Sequence, residues 1–96
     1  MSPRPDYDTF EWDEQKREAN LSKHGIDFED ARVALAEPHF VLQTNRPKEQ
    51  RWIALVKINF RLVAVIYTIR GRACRIISAR IASRSERKTY NTHFSA

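Results

Sequence analysis

Residues 51–81, RWIALVKINFRLVAVIYTIRGRACRIISARI, decide the fold. Three runs rich in β-branched and aromatic residues, RWIALVKI, RLVAVIYTI and ACRIISARI, are separated only by Asn59-Phe60 and by Arg70-Gly71-Arg72. Runs of this composition bounded by turn residues read as strands. Connections so short cannot cross over, so consecutive strands must pair antiparallel. Upstream, HFVLQT from His39 reads as a fourth strand and NRPKEQ as the polar loop that follows it. Downstream, Ser83 stands three residues before Glu86, a capping-box spacing that predicts a short helix over about 84 to 91.

Before Pro38 the pattern is helical. DEQKREANLSKHG offers Asp13 as N-cap, acidic residues in the first turn, Lys23 and His24 in the last, and Gly25 as a stop, which predicts a helix over about 13 to 24. Asp27 opens a second unit, DFEDARVALAEP, with Phe28, Ala31 and Leu35 at helical spacing and Pro38 ending it. Residues 1–9 carry two prolines and little to bury and read as a flexible arm, leaving 10–96 as a single domain. The expected architecture is α+β: two N-terminal helices, a four-stranded, mainly antiparallel sheet and a short C-terminal helix, with the helices on one face.

Strand parity shows where chemistry can sit. In the run from Arg61, Leu62, Ala64, Ile66, Thr68 and Arg70 share one face and Val63, Val65, Tyr67 and Ile69 the other, and both begin apolar. If Gly71-Arg72 is a two-residue turn, Arg70 opposes Ala73 and Thr68 opposes Arg75, which groups Arg70, Thr68 and Arg75. Arg80 then falls on the opposite face unless a bulge intervenes.

The 96 residues suffice for one core, with 42% hydrophobic and 30% charged residues and only two Gly, which excludes low-complexity and collagen-like chains. No apolar run approaches a membrane span, and MSPRPDYDTF lacks the apolar stretch of a secretory signal, so a cytoplasmic location is expected. The single Cys74 has no intramolecular disulfide partner and reads as a small buried hydrophobe. Residues 1–44 hold five Lys/Arg and ten Asp/Glu, a balance of −5, whereas 45–96 hold twelve and two, a balance of +10. Nine of those twelve cations are arginines, whose planar forks match phosphate oxygens. A polyanionic partner is one reading; the other is that the basic half folds against the acidic half and surface pairs absorb the charge.

FEWDEQKREANLSKHGIDFEDA (Phe10 to Ala31), Glu49-x-Arg51, and VIYTIRGRACRIISARIASRSERKTY (Val65 to Tyr90) together resemble the BrnT-like toxins of bacterial type II toxin-antitoxin systems. The resemblance implies a RelE-like fold and a ribonuclease that halts translation. It also implies an adjacent-gene antitoxin, a small ribbon-helix-helix DNA-binding protein in a 2:2 heterotetramer, with promoter DNA contacted through the antitoxin. One departure is the turn Lys57-Ile58-Asn59-Phe60-Arg61, where many relatives place a Gly.

RNA cleavage without a metal needs an activated 2′-hydroxyl, stabilisation of the phosphorane charge, and protonation of the leaving 5′-oxygen. Arg70 and Arg75 are the candidates for charge stabilisation, and His24, Glu49 and Tyr67 for proton transfer. Lys23, Arg51, Arg72, Arg80 and Arg84 are the candidate RNA-binding cations. Structural roles compete for the same residues. His24 and Lys23 suit a helix C-terminus, Glu49 can pair with Arg51 or Arg46, and Tyr67 alternates with core residues. Arg80 can anchor the C-terminal helix or meet an acidic residue of the antitoxin, while Arg84, Arg87 and Lys88 can form a solvated or phosphate-contacting face of that helix. Trp12 and Trp52 read as core or interface residues, with base stacking as the lesser alternative. His24, His39 and His93 show no paired ligand spacing, so neither metal nor other cofactor is expected. A noncatalytic nucleic-acid-binding module and a pure interaction protein are the competing functional readings.

Overall fold

Asp13 starts the first helix, α1 (Glu14–His24), by accepting the backbone N–H of Gln15 at 2.8 Å and of Lys16 at 3.3 Å. Gly25 ends it at φ 71°, a left-handed conformation that costs glycine nothing. Two residues on, Asp27 caps α2 (Phe28–Ala34) through the N–H of Glu29, and the Arg17 side chain of α1 grips the same carboxylate at 2.8 and 3.0 Å. The second N-cap is thereby tied to the first helix. The computed structural model describes residues 6–37, 39–44 and 48–94. Residues 1–5 of the expected arm, Pro38 as the expected helix stop, and residues 45–47 of the expected loop, with Arg46 as a partner for Glu49, lie outside the described residues.

The strands are β1 (Thr9–Glu11), β2 (Phe40–Thr44), β3 (Arg51–Ile58), β4 (Arg61–Arg70) and β5 (Ala73–Ile81), in the sheet order β1-β5-β4-β3-β2, and α3 (Arg84–Phe94) closes the chain. The antiparallel meander β2 to β5 follows the sequence pattern, with Arg70 opposite Ala73 and Thr68 opposite Arg75 as the Gly71 turn requires. The sheet has five strands rather than the expected four. The fifth, β1, pairs parallel to β5 through Thr9, Phe10 and Glu11 at the sheet edge. Tyr7 packs edge-on to Phe10 and Tyr67, and the Asp8 N–H donates to the Arg72 carbonyl at 2.8 Å, so the segment from Tyr7 onward lies against the sheet.

Helices occupy both faces rather than one. Ile26, Phe28, Ala31 and Leu35 pack with Ala54, Val56, Val63, Val65, Tyr67, Cys74 and Ile76 in the larger core. Tyr90 of α3 packs on the opposite face, against a smaller cluster of Leu55, Leu62, Ala64 and Ala82. The reason is the apolar start of β4 on both faces: one helical layer would have left Leu62 and Ala64 in water. Beyond the reach of β1, the edge of β5 is closed by a side chain. Buried Asn20 of α1 accepts the Ala79 N–H at 3.1 Å and donates to the Ala79 carbonyl at 2.8 Å and the Ile26 carbonyl at 3.0 Å.

Between Ile66↔Ser78 and Tyr67↔Ile76 the β4–β5 register shifts, leaving Ile77 as the extra residue of a bulge. The bulge changes parity. Arg80 opposes Ala64 and Arg75 opposes Thr68, so both arginines sit on the face that carries Arg70.

Candidate functional site

One row of register partners crosses all five strands: Glu11, Arg75, Thr68, Arg51 and Thr44. These side chains share a face, since cross-strand partners point the same way. It is the face that α3 covers only at its other end, over Leu55, Leu62 and Ala64. At the near end it is lined by charge instead of a helix.

Each arginine there is held by a carboxylate. Arg75 donates to Glu11 at 2.7 Å, and Arg70 donates to Glu49 at 3.2 Å, while Arg51 approaches the second oxygen of Glu49 at 3.8 Å. All five side chains are partly accessible, from 27% for Arg75 to 56% for Arg70, so the cations are oriented yet open to a ligand. The position of Glu49 is set from beneath. Buried Thr68 donates its hydroxyl to the Gln50 carbonyl at 2.7 Å, the Gln50 amide bonds to the Thr44 carbonyl, and the Thr44 hydroxyl donates to the Arg51 carbonyl at 2.9 Å. At the hairpin beyond, Arg72 bonds Asp8 in two places, one of them 2.9 Å, and holds that carboxyl below its ordinary range.

The structure thus brings together Arg70, Arg75, Glu49 and Arg51. Arg72 is exposed at the rim. Arg80 shares the face but makes a two-pronged pair with Glu86 at 2.8 and 3.0 Å, while Glu86 also accepts the Ser83 N–H at 2.8 Å. Hydrogen bonding to Arg80 is the main reason that the Glu86 carboxyl lies below its ordinary range. Arg84 is exposed on the first turn of α3. Tyr67 lies on the other face, fully buried and stacked on Trp52 at 5.9 Å. His24 and Lys23 end α1, with His24 half-buried and Lys23 exposed, and neither hydrogen bonds nor pairs with the arginine cluster among the described residues. Cys74 is buried, its thiol pushed up to about 12 by desolvation, which leaves it unreactive.

Glu11 is the member that reading the sequence missed. Its signal was faint: Phe10 and Trp12 turn inward while Thr9 and Glu11 alternate with them, over a strand of three residues. Among the described residues no group of three His, Cys, Asp or Glu side chains is placed to hold a metal ion, and no helix is long and apolar enough to cross a membrane.

Ion pairing divides the basic half in two. Arg51, Arg70, Arg72, Arg75 and Arg80 are paired, whereas Lys48, Lys57, Arg61, Arg84, Arg87 and Lys88 form no ion pair among the described residues. Among the described residues only Asp8–Arg72 and Glu11–Arg75 join the acidic half to the basic one, so these pairs leave most of the described positive charge unabsorbed. That surplus, beside a row of oriented guanidinium groups, is what a polyanion-binding face requires.

No curated protein was found to match the chain. A family model does match, over residues 12–86, and its description is ribonuclease toxin, BrnT, of type II toxin-antitoxin system. The matched span runs from Trp12 through α1 and α2, the loop that carries Glu49, the three arginine-bearing strands and the Arg80–Glu86 anchor, and by it the chain belongs to the BrnT family of ribonuclease toxins.

Proposed function

We propose that the row from Glu11 to Arg51 is the cleavage site of a metal-independent endoribonuclease. The observation that carries this reading is the pairing of Arg70, Arg51 and Arg75 with Glu49 and Glu11 on an open face of the sheet. A scissile phosphate entering the row takes the guanidinium hydrogen bonds of Arg75 and Arg70. Glu49, released by Arg70, accepts the proton of the 2′-hydroxyl. The 2′-oxygen then forms its bond to phosphorus while the bond to the 5′-oxygen breaks, and that oxygen takes a proton from water. Arg70 and Arg75 meet the charge that grows on the phosphorane oxygens. Glu11 acts by fixing Arg75, and His24 keeps to the end of α1.

Cleavage of messenger RNA by this route inhibits translation, so the free protein arrests growth. An antitoxin with an acidic contacting surface covers the row and is the natural means of holding the toxin inactive. The test is cleavage of end-labelled RNA in EDTA. The expected products end in a 2′,3′-cyclic phosphate and a 5′-hydroxyl, and replacing the 2′-hydroxyl at the cleaved position by hydrogen abolishes the cut. Loss of cleavage on chelation, restored by a divalent ion, overturns the mechanism.

A further inference from the structure

The cations that no carboxylate neutralises are concentrated away from the cleavage row. Lys57 and Arg61 flank the β3–β4 turn, and Arg87 of α3 faces them across a groove of about 330 Å³ that Asn91 and Ile81 also line. No carboxylate is among the described residues lining it. At its lip stands Phe60, 101% exposed, with φ 67°, next to Asn59 at φ 51°.

Phe60 lacks a structural explanation. A two-residue turn with both central residues at positive φ favours Asn, Asp or Gly, and a bulky side chain there is strained. Nor does the ring pack on anything, being wholly in water. Strain of this kind at an exposed position points to a ligand. We infer that the Phe60 groove is a second RNA-binding site, in which the ring stacks on an unpaired base and Arg61, Arg87 and Lys57 hold the neighbouring phosphates. An acidic protein segment would satisfy the cations but leave the ring wet. A nucleotide brings the anion and the flat apolar face in one unit. The inference rests on RNA being the substrate.

Arg61 opens β4 and Thr68, the member of the row on that strand, stands seven residues on, so the groove lies roughly 23 Å from the cleavage row. It therefore binds nucleotides remote from the cut and acts on affinity, leaving the chemical step alone.

The test uses the full chain in an Arg75→Ala background, so that cutting is slowed by about 10²-fold or more while RNA binds. Binding of a fluorescein-labelled single-stranded oligoribonucleotide long enough to reach both sites is followed by anisotropy. Phe60→Gly removes the ring and relieves the turn, so its folding is secure. It should weaken binding about 5-fold or more. Arg61→Gln and Arg87→Gln should each reduce the slope of log affinity against log salt by about 0.7. In the active chain Phe60→Gly should raise KM and leave kcat unchanged. Parental affinity and KM in Phe60→Gly overturn the inference, as does loss of antitoxin binding with RNA affinity intact, which assigns the groove to a protein partner. Phe60-dependent RNA binding by a chain that cleaves nothing upholds the groove and sinks the cleavage-row reading alone.

Discussion

Arg75 and Glu11 differ in what they are asked to do, and single substitutions separate the roles. Arg75→Ala removes a donor aimed at the phosphorane, and such removals cost about 10²-fold or more in rate. Glu11→Gln keeps a hydrogen-bond acceptor for Arg75 but loses the charge, so kcat should fall less while the pH–rate profile keeps its shape. Glu49→Gln deletes the proton acceptor, so kcat should fall by about 10²-fold or more. Equal activity in all three variants moves the site elsewhere. Asn20 is a structural counterpart. Asn20→Ala leaves the Ala79 N–H and carbonyl without their partner at a buried edge, for about 2–4 kcal/mol in urea unfolding, at unchanged kcat per folded molecule.

At the scale of elements, α3 hangs on its first turn. Ser83 and Glu86 bond reciprocally, at 3.2 Å and 2.8 Å, and Arg80 clamps Glu86 from β5. Arg17 does the same for Asp27 at the head of α2. Both carboxyls lie below their ordinary range, first because of those arginine bonds. A lowered folded-state pKa stabilises the fold above the ordinary carboxylate value, and that stability is lost as pH falls through the lowered one. The urea midpoint should thus be flat between about pH 5 and 7 and fall below about pH 4. Glu86→Gln should lower the plateau and flatten part of the fall; an unchanged pH dependence would refute this role for the clamp.

For the molecule as a whole, the surplus charge sets the partners. With the acidic half joined to the basic half at only two ion pairs among the described residues, RNA affinity should drop steeply with salt. The proposed antitoxin should be acidic where it touches the sheet, restore growth on co-expression, and give a complex with the mass of two toxins and two antitoxins by light scattering. A neighbouring gene product that neither binds nor rescues counts against that assembly.

What could be read from the chain alone is what neighbours in sequence decide. Asp13 and Asp27 cap helices through residues two or three away, Ser83 and Glu86 close a capping box over one turn, and Gly71 sets the β4–β5 register from within its own hairpin. The grouping of Arg70 with Arg75 followed from that register, and Glu49 was singled out in the loop before it. The remainder depended on contacts whose partners are distant. β1 has three residues and finds its place through Glu11–Arg75 and Asp8–Arg72, each 64 positions apart, which no local pattern records. The bulge at Ile77 is settled by how β5 lies on β4 and against Asn20, and it alone brings Arg80 to the arginine face. Likewise the crossing of α3 to the opposite face was decided by which apolar surface remained uncovered once the sheet had formed, whereas the burial of Tyr67 followed the strand alternation.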